Sequence, residues 1–207
     1  ETNFERKKRE TEMLEEALFL CEKQKNNPAM IVSSTNFHEG INGIVATRLM
    51  ERYYKPIIVL TDYGKMLKGS GRSIPELHLK NALSKCEDLL DRFGGHSSAA
   101  GFSLISKNLN SFKERLYSIC KEFIPEEIIP ELEINGFLEL TKLSEGFVEQ
   151  IDRLQPFGEG NQEPIFQIIA PKKPFQLLKK KHVKWSIEGN FDILGWDLAD
   201  SFLKKNP

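Results

Sequence analysis

A chain of 207 residues with 40% hydrophobic and 29% charged residues can bury one large or two small cores, which excludes wholesale disorder. Its formal net charge of −1 excludes a uniformly basic nucleic-acid binder, and no apolar run approaches the roughly 20 residues that span a bilayer. Three cysteines, odd in number and far apart, read as buried free thiols in a reducing cytosol, so a cytoplasmic location is expected.

The first element expected is a helix over 1–27. Met13, Leu14, Ala17, Leu18 and Cys21 recur at three- and four-residue spacing, Arg6-Lys7-Lys8-Arg9 reads as a solvated face, and Asn26-Asn27-Pro28 ends the helix. Apolar segments at 30–33 and 57–60 read as buried strands. Between them Ile41, Ile44, Val45, Leu49 and Tyr53 mark a helix reaching about Tyr54. Strand, helix, strand favours parallel pairing with a right-handed crossover. Lys68-Gly69-Ser70-Gly71-Arg72-Ser73 follows, readable as a polar turn or as extended chain with Ser70 and Arg72 on one face and Ser73 on the other. Leu79, Ala82, Leu83, Cys86, Leu89, Leu90 and Phe93 predict a helix over 79–93, with Gly94 or Gly95 as its stop. A strand over 102–105 and a helix over 109–123 complete an α/β domain at 28–124, a mixed sheet with flanking helices.

Pro125 and Pro130 open a linker over 125–164 with a helix at 143–154. Runs at 165–170, 183–187 and 191–196 read as strands, the last two separated by the hairpin signal Gly189-Asn190. Charge alternates sharply here. Residues 126–163 carry ten acids and two bases, whereas 164–184 carry six lysines and no acid. Lys172, Lys173, Lys179, Lys180, Lys181 and Lys184, with Phe175 and Trp185 among them, fit attraction to a phosphate backbone plus base stacking. Trp185 fits a β-sheet core equally well.

Two motifs carry chemistry. In Gly94-Gly95-His96-Ser97-Ser98-Ala99-Ala100-Gly101 the glycines allow bare N–H groups near a ligand, and a neighbouring imidazole can share one phosphate with them. In the upstream motif Arg72 can grip a phosphate with two parallel N–H bonds, with Ser70 on the same face. His38 precedes a helix N-terminus, where it either faces the same ligand or simply caps; Arg48, further along that helix, either reaches phosphate or pairs within the chain. His78 and His182 read as structural or exposed.

His38-Glu39-Gly40-Ile41-Asn42-Gly43-Ile44-Val45-Ala46, Gly69-Ser70-Gly71-Arg72-Ser73 and the 94–101 run together resemble the DHH-associated domain of RecJ-type single-strand-specific exonucleases. Pro156-Phe157-Gly158-Glu159-Gly160-Asn161-Gln162-Glu163-Pro164 resembles the lead into the RecJ OB-fold domain. The resemblance implies that the helix over 1–27 is a connector from a catalytic domain and that residues 165–207 begin an incomplete OB-fold barrel. It implies a 5′-to-3′ exonuclease of single-stranded DNA in repair and recombination, with Ser70, Arg72, Ser73, Gly94, Gly95, His96, His38 and Arg48 holding substrate and Lys179, Lys180, Lys181 and Lys184 a second DNA patch. His96 would touch the phosphate in the transition state. Such enzymes hold Mn²⁺ or Mg²⁺ in an N-terminal DHH domain. Four histidines without an Asp-His-His triplet give no metal site here, and the first residue is Glu1. The expectation is therefore a substrate-binding portion, inactive alone, whose partners are single-stranded DNA, the absent catalytic domain and other repair proteins, with no membrane and no cofactor of its own. Two other readings stay open, a DHH phosphoesterase for short oligonucleotides or dinucleotides and a non-enzymatic repair adaptor; a metal-independent transferase using His96 as base lacks any evident nucleophile or carboxylate partner.

Overall fold

The two apolar runs read as strands pair with each other. β1 (Met30–Ser34) and β2 (Ile57–Asp62) lie parallel, joined by α2 (Glu39–Tyr53), as the strand–helix–strand pattern requires. The computed structural model describes residues 3–125, 128, 131–158, 160–170, 174–187 and 191–205. These fall into two compact units, 1–130 and 131–207.

In the first unit β3 (Met66–Arg72) runs antiparallel to β2, and β5 (Ala99–Ile105) lies between β3 and the edge strand β4 (Arg92–Gly95), giving the order β1-β2-β3-β5-β4. Side chains alternate across this mixed sheet and split the apolar residues between two cores. Ile57 and Val59 pack with Met30 and Val32 beneath α1 (Asn3–Glu22) and α2; Ile58 and Leu60 pack with α3 (Leu79–Ser84) and α4 (Leu109–Phe123). The expected connector helix is part of the first core. Met13, Ala17 and Cys21 of α1 are buried with Ile41, Val45 and Leu49 of α2.

The helix expected over 79–93 is much shorter. α3 stops at Ser84, a 3-10 turn covers Glu87–Leu89, and Arg92–Gly95 is strand. Leu89, Leu90 and Phe93 still pack on the core that α3 and α4 share. Their spacing therefore reports burial, while pairing with β5 sets the backbone. All three cysteines are free and buried, and burial pushes the Cys21 and Cys120 thiols up to about 12 and Cys86 to about 11.

The second unit takes in most of the expected linker, because β6 (Gly136–Phe137) pairs with β7 (Phe166–Gln167). α5 (Glu145–Asp152) is capped by Ser144, whose Oγ accepts the Phe147 N–H at 3.2 Å. The turn before β7 is held by Asn161, whose Nδ2 donates to the carbonyls of Leu154 (2.8 Å) and Pro156 (2.9 Å). β8 (Gln176–Leu178), β9 (His182–Ile187) and β10 (Phe191–Gly195) form an antiparallel sheet in the order β10-β9-β8, followed by α6 (Ala199–Lys205). Trp185 is half-buried and packs on Phe202 of α6 with ring centroids 5.5 Å apart. Gly189-Asn190, Lys172, Lys173 and Glu159 lie outside the described residues. Among the described residues no helix is long and apolar enough to cross a membrane.

Candidate functional site

Register decides which side chains share a face. Arg72, Ser70 and Lys68 stand opposite Ile57, Val59 and Thr61 of β2, so they point to the α2 side. Across β5 and β4 the same face continues in rows. Lys68 pairs with Ser103 and Ser103 with Arg92; Ser70 pairs with Gly101 and Gly101 with Gly94; Arg72 pairs with Ala99. The His96 N–H donates to the Ala99 carbonyl at 2.8 Å, which extends the third row. Arg72 and His96 therefore flank one residue of β5, about 10 Å apart as two strand spacings. Two polar rows border a row of glycines. α2 covers only the β2 and β3 end of this face, leaving a groove of about 560 Å³ whose lining includes Glu39, Asn42, Lys68, Ser70, Gly94 and Gly101.

Arg72 is the most informative side chain. Its Nε donates to Thr47 Oγ1 at 3.1 Å and its Nη1 to the Gly71 carbonyl at 2.8 Å. Burial holds its pKa below the ordinary arginine value, yet the group stays charged at any physiological pH. Among the described residues no carboxylate comes within ion-pair distance of it. Some cations of this unit are matched, Arg48 with Glu10 (2.6 Å), Lys68 with Glu39 (2.9 Å) and Arg115 with Asp88, whereas Lys55 and Lys113 share with Arg72 partial burial and no ion pair among the described residues. A partly desolvated guanidinium without an acid is the arrangement that an anionic ligand completes.

The remaining expected site residues divide. Ser70 is half-buried in the groove lining and Gly94 lies on its floor. Ser73 does not join them: it is 5% exposed and its hydroxyl donates to the Leu77 carbonyl at 2.8 Å, because the strand alternation turns it into the opposite layer. Arg48 is turned toward α1 by its pair with Glu10, so it stands away from the groove. His38 caps α2, its Nδ1 accepting the Gly40 N–H at 3.2 Å. Gly95 lies in β4 at φ 146° and is there for the fold, since a Cβ would meet the Ala99 carbonyl oxygen at 2.4 Å. His96 is exposed in the β4–β5 turn. Lys181 and Lys184 are paired with Asp197 (2.9 Å) and Asp192 (2.7 Å). Lys179 and Lys180 are exposed in the β8–β9 turn with left-handed backbone, φ 51° and 56°.

Sequence reasoning drew Arg48 from α2 as a site residue but passed over Asn42, Gly43 and Thr47 of the same helix. Asn42, 1% exposed, donates from Nδ2 to Thr61 Oγ1 (3.0 Å) and to the Lys68 carbonyl (3.2 Å), pinning the helix to β2 and β3. An asparagine beside Ile41 in an apolar stripe was the available signal. Nothing in the spacing marks Gly43 and Thr47 as neighbours of Arg72.

Known proteins are similar to this chain in sequence and fold. Residues 26–122 match the DHHA1 domain and residues 134–207 the RecJ OB domain, which makes this a chain of the class joining a DHH-associated α/β domain to an OB domain. The single-stranded-DNA-specific exonuclease RecJ of Bacillus subtilis (strain 168) is 35% identical over 210 residues, covering 96% of this chain and 26% of that protein. The RecJ of Escherichia coli (strain K12) is 30% identical, covering 90% of this chain and 34% of that one. The crystal structure of RecJ in complex with Mg²⁺ from Thermus thermophilus aligns with a TM-score of 0.73 at 29% identity, covering 94% of this chain and 30% of that one. The chain belongs to the RecJ family and spans about a quarter to a third of these relatives' length. Among its described residues no three His, Cys, Asp or Glu side chains converge as metal ligands do, so they do not fit the divalent ion of that crystal structure.

Proposed function

We propose that this chain is the substrate-holding portion of a RecJ-type 5′-to-3′ exonuclease of single-stranded DNA, acting in repair and recombination. The observation that carries the reading is Arg72, a partly buried cation with no acid partner among the described residues, which stands outside the groove lining but two residues along β3 from Ser70, and Ser70 lines the groove with Gly94 and Gly101. A DNA phosphate supplies the missing charge, with Ser70 donating beside it. His96, across Ala99 from Arg72, contributes an imidazole at the far end of the same row. Lys179 and Lys180 of the second unit add charge attraction without reading sequence. Hydrolysis needs the divalent metal of a separate DHH domain, so this chain alone is inactive. The dinucleotide-phosphoesterase reading is disfavoured by the RecJ OB match over 134–207.

The test is fluorescence anisotropy with a labelled 5′-phosphorylated oligothymidylate. Arg72→Ala should weaken binding about ten-fold or more, the loss of a charge-assisted contact. Affinity should also fall steeply with salt. Unchanged affinity of Arg72→Ala would overturn the reading. So would DNA cleavage by this chain alone in Mn²⁺ or Mg²⁺.

A further inference from the structure

We infer that Gly43 and Thr47 of α2 are positioning residues that hold the Arg72 guanidinium ready for its anion. The inference rests on the reading of Arg72 as a phosphate ligand. A free arginine side chain has several rotatable bonds, and fixing it on binding costs rotamer entropy. Here the fixing is done in advance by a notch in one helix face.

The notch has two parts. At Gly43 a Cβ would lie 2.8 Å from Arg72 Nη2, so a side chain there would shift the guanidinium from its present seat against the helix. One turn on, Thr47 donates its hydroxyl proton to the Gly43 carbonyl at 3.0 Å. That bond commits the only proton of the hydroxyl, and a lone pair is left to accept Arg72 Nε–H at 3.1 Å. Threonine suits this task because its branched Cβ restricts χ1, and back-bonding to the carbonyl four residues earlier selects one rotamer. Nη1 is anchored on the Gly71 carbonyl. With Nε and one Nη1 proton committed, the other N–H groups are oriented before any ligand arrives, which lowers the entropy lost on binding.

Binding of 5′-phosphorylated oligothymidylate is measured for the chain and its variants, with thermal unfolding alongside. Thr47→Val keeps the shape but removes the acceptor, and should weaken binding about five-fold, the loss of roughly one hydrogen bond. Thr47→Ser restores the acceptor and should bind within about two-fold of the parent. In an Arg72→Ala background Thr47→Val should change nothing, because its effect passes through the guanidinium. The ¹⁵Nε–H resonance of Arg72, recorded without DNA, should exchange faster with solvent in Thr47→Val and not in Thr47→Ser. Arg72→Ala weakened with Thr47→Val at parental affinity would overturn this inference alone, as would a Thr47→Val loss that persists without Arg72. An Arg72→Ala variant that binds like the parent would instead overturn the underlying reading and carry this one with it.

Discussion

Glycines in this chain do opposite jobs a residue apart. Gly95 sits at φ 146° with the Ala99 carbonyl oxygen 2.4 Å from where a Cβ would stand, so alanine there must distort the β4–β5 turn. A Cβ added at Gly94 would meet nothing within 4 Å. We expect Gly95→Ala to lower unfolding free energy by about 2–3 kcal/mol, while Gly94→Ala stays within about 1 kcal/mol of the parent; urea unfolding of the pair checks both. The arginines contrast in the same way. Arg48 is neutralised by Glu10 and Arg72 by nothing in the described residues, a difference of environment between residues of one type. The sequence marked Arg72 through the glycines around it, yet it offered the same phosphate role to Arg48 and placed Ser73 with substrate. Both were decided by which way the backbone faces.

At the scale of elements, α2 does more than its apolar stripe foretells. Ile41, Val45 and Leu49 bury it, His38 caps it, Asn42 pins it to β2 and β3, and Gly43 with Thr47 receive Arg72. Asn42→Ala would strip the Lys68 carbonyl and the Thr61 hydroxyl of partners inside the unit. It should destabilise the chain by about 2 kcal/mol, read from the shift in urea midpoint at constant m value. The β4–β5 hairpin shows the converse. Residues 79–93 carry a helical spacing of apolar side chains, but Phe93 and Gly94 pair with Phe102 and Gly101, and the ladder overrides local preference. An edge strand that turns one apolar side chain onto the core and a buried helix face both place apolar side chains inward, so periodicity over so short a stretch does not separate them.

Over the whole molecule, three buried thiols give stability a pH dependence. Unfolded thiols release protons near 9.0, whereas burial holds the folded ones to about 11 or 12. The unfolded state then binds fewer protons above pH 9, so stability present below that value falls as pH rises toward 11. A urea series from pH 8 to 11 should show this slope, and a triple variant with alanine at positions 21, 86 and 120 should flatten it. What the sequence determined by itself was local and compositional: the parallel strand–helix–strand unit, the buried cysteines, the α/β class, and motifs whose glycines and cations mark a family. What only the tertiary structure decided was adjacency. Arg72 and Thr47 are 25 residues apart and become hydrogen-bonded only when α2 packs on β3. Pairing of strands and docking of a helix depend on contacts distant in the chain, and no local spacing encodes which faces will meet.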